Sequence, residues 1–466
     1  MSKAIKVRDL ETVSASELPE QHNLPDSSIM VFKDLDTGRF YIQKKVARNN
    51  IKTLVDKYEL VKVDGTIEVL PLDQDRCVQI LNRLSAAELS FNACFVFHED
   101  ESDLPDALDW EKTEEEHAYT STGIKFWRHH QQMEEFLWPQ DGFPRNTVVS
   151  THVSAEGMCN LRCPYCSVTY RDNHSRIPFD VVKKYVEDLM TRGLRAVILT
   201  GGGEPTLYPH FNELVQWIKY EKGLSVALIT NGTTRQRIDP ETLGCFSWIR
   251  VSINVFAGWE DKIGIDTEHL SPECVVGCSL VYTSEHQAGE EFEGDRPALL
   301  KKVSKVADNC GAQYIRVLPN CLLEQKQLIQ QHIALQKVLD VFPDKRFFQQ
   351  YKVHGTPNTS TCHQSYFRPY LSEEPSIIDG TPGTVFPCDS VVLNDSVTHF
   401  AEKYQLCKPG DILDYIDGNI APNFDPREDC KGCVFTETVN MLDDYKSEGT
   451  NRFADFPDPL KHEEFV

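Results

Sequence analysis

The chain has 466 residues, 40% of them hydrophobic and 10% aromatic, with a formal net charge of −23. That length exceeds one ordinary domain and allows a sizeable core, while 25 glycines and 25 prolines are too few for a collagen-like or low-complexity chain. The acidity makes nucleic acid and anionic membrane unlikely partners, because both are bound by neutralising negative charge with Lys and Arg.

No apolar run reaches the roughly 18 residues of a membrane span. The opening MSKAIKVRDLE carries no signal-like apolar stretch. The expectation is a cytoplasmic protein, and its 15 cysteines then read as thiols, metal ligands or small buried residues, not as a disulfide framework.

Residues 1–145 mix short alternating strands with a helical pattern near 74–87 and predict an N-terminal α+β region. Within it, VDGT at 63–66 signals a hairpin between ELVKV and TIEVL. The acidic run at 97–116 reads as a solvated surface segment, and the aromatic-rich helix KFWRHHQQMEEFLW follows, stopped by PQDG at 139–142. His129 and His130 on that helix show no metal-ligand spacing.

Residues 146–345 alternate strand and helix. TVVSTHVS, AVILT, LSVALIT, WIRVSINVF, VVGCSLVY and YIRVLPN are the strands; FDVVKKYVEDLMTRG, FNELVQWIKYEKG, ALLKKVSKVADNCG and EQKQLIQQHIALQKVLDVF are the helices. Such alternation implies right-handed βαβ units and a parallel sheet. Six strands predict a partial (β/α)6 TIM-type barrel, with chemistry on the loops beyond the C-terminal strand ends. Residues 346–466 lose the alternation and read as a small metal-stapled appendage with little core of its own.

Three motifs carry chemistry. The first is Cys159-Asn160-Leu161-Arg162-Cys163-Pro164-Tyr165-Cys166, directly after the first barrel strand. Three thiolates on one loop reach three corners of an iron–sulfur cube and leave one iron open. The alternative is a zinc knuckle that borrows His152 or His174. The second is Thr200-Gly201-Gly202-Gly203-Glu204-Pro205 at the next strand end. Its glycines let backbone approach a ligand closely, and Glu204 offers a carboxylate to a cation; a plain βα turn is the bland alternative. The third is Cys362, then Gly383-Thr384-Val385-Phe386-Pro387-Cys388, then Cys430-Lys431-Gly432-Cys433. Four thiolates in two pairs suit one cluster or one structural zinc. Cys407 is a spare that either replaces Cys362 or is a buried thiol. Cys77, Cys94, Cys245, Cys274, Cys278, Cys310 and Cys321 read as small core residues.

On CNLRCPYC and the glycine-rich element, the chain resembles the radical SAM superfamily. The likeness is strong over about residues 147–320 and does not extend to the first 145. It implies that Cys159, Cys163 and Cys166 hold a [4Fe-4S] cluster that binds S-adenosylmethionine (SAM), whose reductive cleavage gives a 5′-deoxyadenosyl radical that abstracts a substrate hydrogen. It further implies cofactor contacts from Tyr165 in the cysteine loop, Gly202, Gly203 and Glu204. Ser252 and Asn254 after the fourth strand, Ser279 on the fifth and Leu318 on the sixth join them. The tail resembles the SPASM/twitch extension, which places a glycine five positions before its second cysteine. Cys362 lies farther from Gly383 than is usual there, and no cysteine follows Cys433, so a single auxiliary [4Fe-4S] cluster of the twitch kind is expected.

The resemblance implies a radical SAM oxidoreductase or maturase that oxidises or crosslinks a peptide or protein, with a flavodoxin or ferredoxin as reductant. Dehydrogenation of a small molecule such as an amino sugar or alcohol is the alternative. A zinc-stapled interaction protein is the alternative from another class. Residues 1–145 would then be a substrate-recognition module, such as the winged-helix peptide-binding domain some of these enzymes carry, or a cap. No motif names the catalytic acid or base.

Overall fold

In a computed structural model, the chain divides into two compact units, residues 1–105 and 106–466. Six strands are described in the first unit; in the second, residues 110–466 are described except 140–141, 143–144, 164, 170, 254–260, 283–295, 395–399 and 450–458. The helical pattern near 74–87, Cys77, Cys94 and Asn254 lie outside the described residues.

The first unit holds β1 (Leu10–Val13), β2 (Ser28–Asp34), β3 (Phe40–Lys44), β4 (Tyr58–Val63), β5 (Val69–Leu70) and β6 (Val96–His98) in one sheet, with the order β1-β4-β2-β6-β5 and β3 against β2. Among the described residues, no pairing of β4 with β5 is present, contrary to the expected hairpin. Both edges of β4 are taken, by β1 and β2, and β5 runs parallel to β6. Long-range pairing overrides the local turn signal.

The second unit is built on a nine-stranded open sheet. Its strands are β7 (Ser150–Val153), β8 (Ala196–Leu199), β9 (Ser225–Thr230), β10 (Phe246–Ser252), β11 (Val275–Tyr282), β12 (Tyr314–Pro319), β13 (Phe347–Gln349), β14 (Tyr370–Ser372) and β15 (Thr384–Phe386). The order is β13-β12-β11-β10-β9-β8-β7-β14-β15. All neighbouring pairs run parallel except β14 with β15. The six expected barrel strands are present and form the partial barrel; β13 and β14 extend it at its two edges.

Alternation along each strand sorts side chains between the helices outside and the lumen inside. Val153, Val197, Leu199, Val226, Leu228, Ile249, Val251, Val276, Cys278, Ile315 and Val317 join the outer core with the helices Phe179–Met190, Phe211–Gln216 and Arg296–Asn309. Ala196, Ile198, Ala227, Trp248, Val275, Tyr314 and Phe348 pack inside around Phe465.

The tail departs from the expectation of a poorly cored appendage. Leu371, Val385, Phe386, Tyr404, Ile412, Tyr415 and Ile416 are buried in the same core as the barrel. The second unit also begins earlier than residue 146. Phe126, Trp127, Met133 and Phe136, from the segment expected to be N-terminal, pack against Phe367, Leu442 and Tyr445 of the tail. Within the acidic run, Glu116 is buried and accepts from Trp110 Nε1 at 3.0 Å and from the Tyr351 amide at 2.9 Å.

Candidate functional site

Cys159, Cys163 and Cys166 lie on the loop that leaves β7, each partly exposed. Burial pushes the Cys163 thiol up to about 11, against a lowering influence from the neighbouring Tyr165 hydroxyl; burial likewise raises Cys159. Thiols so placed ionise when a cation arrives to pair with them. The loop is held in shape by Arg171, whose guanidinium donates to the carbonyls of Gly157 (3.1 Å), Val168 (2.9 Å) and Leu161 (3.4 Å) and to Cys166 Sγ (3.4 Å). Asn160 ties it to the turn after β9, accepting from Asn231 Nδ2 at 2.9 Å and donating to Thr233 Oγ1 at 2.8 Å.

The glycine-rich element sits against this loop. The amides of Gly203 and Glu204 donate to the carbonyls of Glu156 (2.9 Å) and Met158 (2.8 Å). A side chain at 203 would bring its Cβ within 2.2 Å of the Met158 carbonyl oxygen, so glycine is required by close backbone approach. The Gly202 amide donates to Ser154 Oγ at 2.7 Å, and Ser154 donates to Glu373 at 2.5 Å.

The carboxylate of Glu204 is engaged inside the protein. It accepts from the Thr206 and Thr230 hydroxyls at 2.7 and 2.6 Å and from the Asn231 amide at 2.8 Å. The carboxyl beside Gly202 is Glu373, which enters from the tail at the end of β14. It is 2% exposed, and burial pushes it up to about 7.

The remaining expected contacts fall on the lumen side. Ser252 follows Val251 on β10, Ser279 pairs with it across β11, and Leu318 ends β12, half-buried. Of the zinc-knuckle alternatives, His174 is exposed, and His152 faces Asp389 at 3.1 Å inside the barrel. Arg171, Glu373, Arg316 and Lys352 escaped the sequence reading. A charged residue inside an otherwise apolar barrel strand, as in YIRVLP, was the available signal for Arg316.

Cys362, Cys388, Cys430 and Cys433 line one apolar pocket, with Pro387, Phe424 and Phe435. Burial raises all four thiols, and Cys362, Cys388 and Cys430 each also feel others of the set. Gly383 has φ +94°, the left-handed conformation that lets the chain reach β15 and Cys388. Cys407 is not among the lining residues; it is buried in the outer core and accepts from the Val385 amide at 3.0 Å. Cys245, Cys274, Cys278 and Cys310 are buried as expected.

Among the described residues, Asp266, Glu268 and His269, all exposed, form the sole trio with ligand atoms within 4.8 Å of one another.

An open parallel barrel with three thiols beyond its first strand and glycines beyond its second defines a redox-cofactor enzyme scaffold. Residues 157–267 match the model of the Radical SAM superfamily. That family implies SAM and a [4Fe-4S] cluster for the matched segment. The chain is 29% identical to an S-adenosylmethionine-dependent nucleotide dehydratase of Selenomonas ruminantium over 137 residues, 29% of this chain and 44% of that one. It is 36% identical to a GTP 3′,8-cyclase of Synechocystis sp. over 95 residues, 20% of this chain and 28% of that one. The chain thus spans less than half the length of these curated relatives. Among solved structures, Streptococcus suis SuiB bound to its precursor peptide SuiA is similar at 11% identity with a TM-score of 0.41, covering 79% of this chain and 85% of that one. Among the described residues, no helix is long and apolar enough to cross a membrane.

Proposed function

We propose that Cys159, Cys163 and Cys166 ligate the SAM-binding [4Fe-4S] cluster and that Cys362, Cys388, Cys430 and Cys433 ligate one auxiliary cluster. When bound, the first cluster supplies the electron that cleaves SAM and so gives the radical that takes a substrate hydrogen. Arg171 holds the cysteine loop, and the Tyr165 hydroxyl lowers the Cys163 thiol's pKa. Gly202, Gly203 and Glu204 shape the adjoining cofactor bed, which Ser252, Ser279 and Leu318 complete toward the lumen, with Asn254 a further expected contact. A fully ligated second cluster suits removal of an electron from the substrate radical, hence net oxidation or crosslinking. Electrons would come from a flavodoxin or ferredoxin.

The observation that carries this reading is the gathering of four tail thiols, from three separate segments, in one apolar pocket of the unit that also bears the cysteine loop. Oxidation of a peptide or protein is the reading the tail supports. Oxidation of a small molecule is favoured by the polar, charged lumen described below, and two of the curated relatives are named for nucleotide substrates. Anaerobically reconstituted protein is expected to hold about eight irons with matching sulfide. Cys163→Ala should abolish 5′-deoxyadenosine formation with dithionite while keeping about four irons in the tail. Undiminished nucleoside in that variant, or zinc in place of iron in the wild type, overturns the assignment.

A further inference from the structure

Among the described residues, several cations gather around Asp389 on the lumen side. Two of the lumen's cations are consumed by packing. Arg250 is 7% exposed, donates to the Tyr314 hydroxyl at 3.2 Å and to the Tyr119 carbonyl, and lies 4.9 Å from the Trp248 ring. Arg368 is 3% exposed, donates to the Val466 carbonyl at 3.3 Å and faces Asp389 at 3.9 Å.

Arg316 and Lys352 differ, because both lie deep yet keep access to solvent. Among the described residues, Arg316 meets only neutral acceptors: Ser279 Oγ at 2.9 and 3.3 Å and Gln350 Oε1 at 2.8 Å. These engage three of the five donors a guanidinium carries. Lys352 Nζ lies 4.5 Å from the Phe435 ring centroid. Burial pushes Arg316 down to about 9, with Arg250 adding to it, and burial lowers Lys352 as well. The carboxylate both feel is Asp389, which already faces His152 and Arg368. Two like charges that feel each other, one of them a fork with spare donors, are relieved by an anion.

We propose that Arg316 and Lys352 form an anion site in the lumen that seats a phosphate or carboxylate group of the substrate. The site rests on the radical SAM reading, which makes the lumen the substrate chamber. Lys352 also faces Cys433, so its charge acts on the tail thiols too, and Arg316 is the cleaner probe.

The test is calorimetric titration of the anaerobically reconstituted, SAM-loaded protein with pyrophosphate and, separately, with malonate. Saturable binding of either at millimolar concentration or tighter is expected, weakened at least tenfold in Arg316→Gln and in Lys352→Met. Arg427→Gln, which removes an exposed partner of Asp425, should bind as the wild type does. Tighter pyrophosphate binding marks a phosphate ester and tighter malonate binding a carboxylic acid; both support the site. Absence of saturable binding, or wild-type affinity in both lumen variants, overturns it. SAM affinity, visible absorbance and 5′-deoxyadenosine yield on the same samples separate that failure from failure of the radical SAM reading.

Discussion

Glu373 shows how one side chain links the tail to the cofactor bed. Its carboxyl accepts from Ser154, which in turn accepts from the Gly202 amide, so tail, first barrel strand and glycine turn share one buried chain of hydrogen bonds. Burial holds this carboxyl near 7, above its ordinary value of 4.5. The folded protein therefore keeps a proton that the unfolded chain releases, and stability falls as pH rises from about 4.5 to about 7, then levels. The loss across that window is up to about 3 kcal/mol. Glu373→Gln should flatten it, with urea midpoints near pH 5 and pH 8 converging relative to the wild type. Equal pH dependence in both proteins would show that the carboxyl ionises freely in the fold.

At the scale of elements, β14 is the join between tail and barrel. Leu371 is fully buried, pairs in register with Val153 of β7 on one side and Val385 of β15 on the other, and belongs to the outer core. Leu371→Ala should cost about 2–5 kcal/mol in urea unfolding. A cost below about 1 kcal/mol would mean that the tail strands pack loosely on the barrel. Such short elements explain what the sequence concealed. The strands β7 to β12 were legible because buried parallel strands read as apolar runs between helices with a 3.6-residue period. The three residues each of β13, β14 and β15 are too few to display a period of two, so the tail looked coreless. The three-thiol loop and the glycine turn were legible because their chemistry is contiguous in sequence. Glu373 was not, since a Ser-Glu-Glu run resembles any surface loop until β14 carries it over Gly202.

The whole second unit depends on how the tail thiols are joined. Cys362 precedes the helix Gln364–Phe367, Cys388 follows β15, and Cys430 and Cys433 precede the helix Thr436–Glu448. Gly355 and Cys433 also exchange backbone hydrogen bonds at 3.0 Å. A metal centre on these thiols would close the loops between the segments and stabilise the folded state by its binding free energy. An appendage would lose that support alone. Here β14 is hydrogen-bonded to β7, and tail side chains fill the barrel's own core, so the loss must reach the barrel. Chelation of the reconstituted protein, or Cys388→Ala, should therefore lower the melting temperature of the barrel by several degrees. Near-ultraviolet signals from barrel Trp217 and Trp248 would fall together with tail structure in one transition. A barrel transition unmoved by chelation, preceded by separate melting of the tail, would show instead that the shared sheet does not couple them.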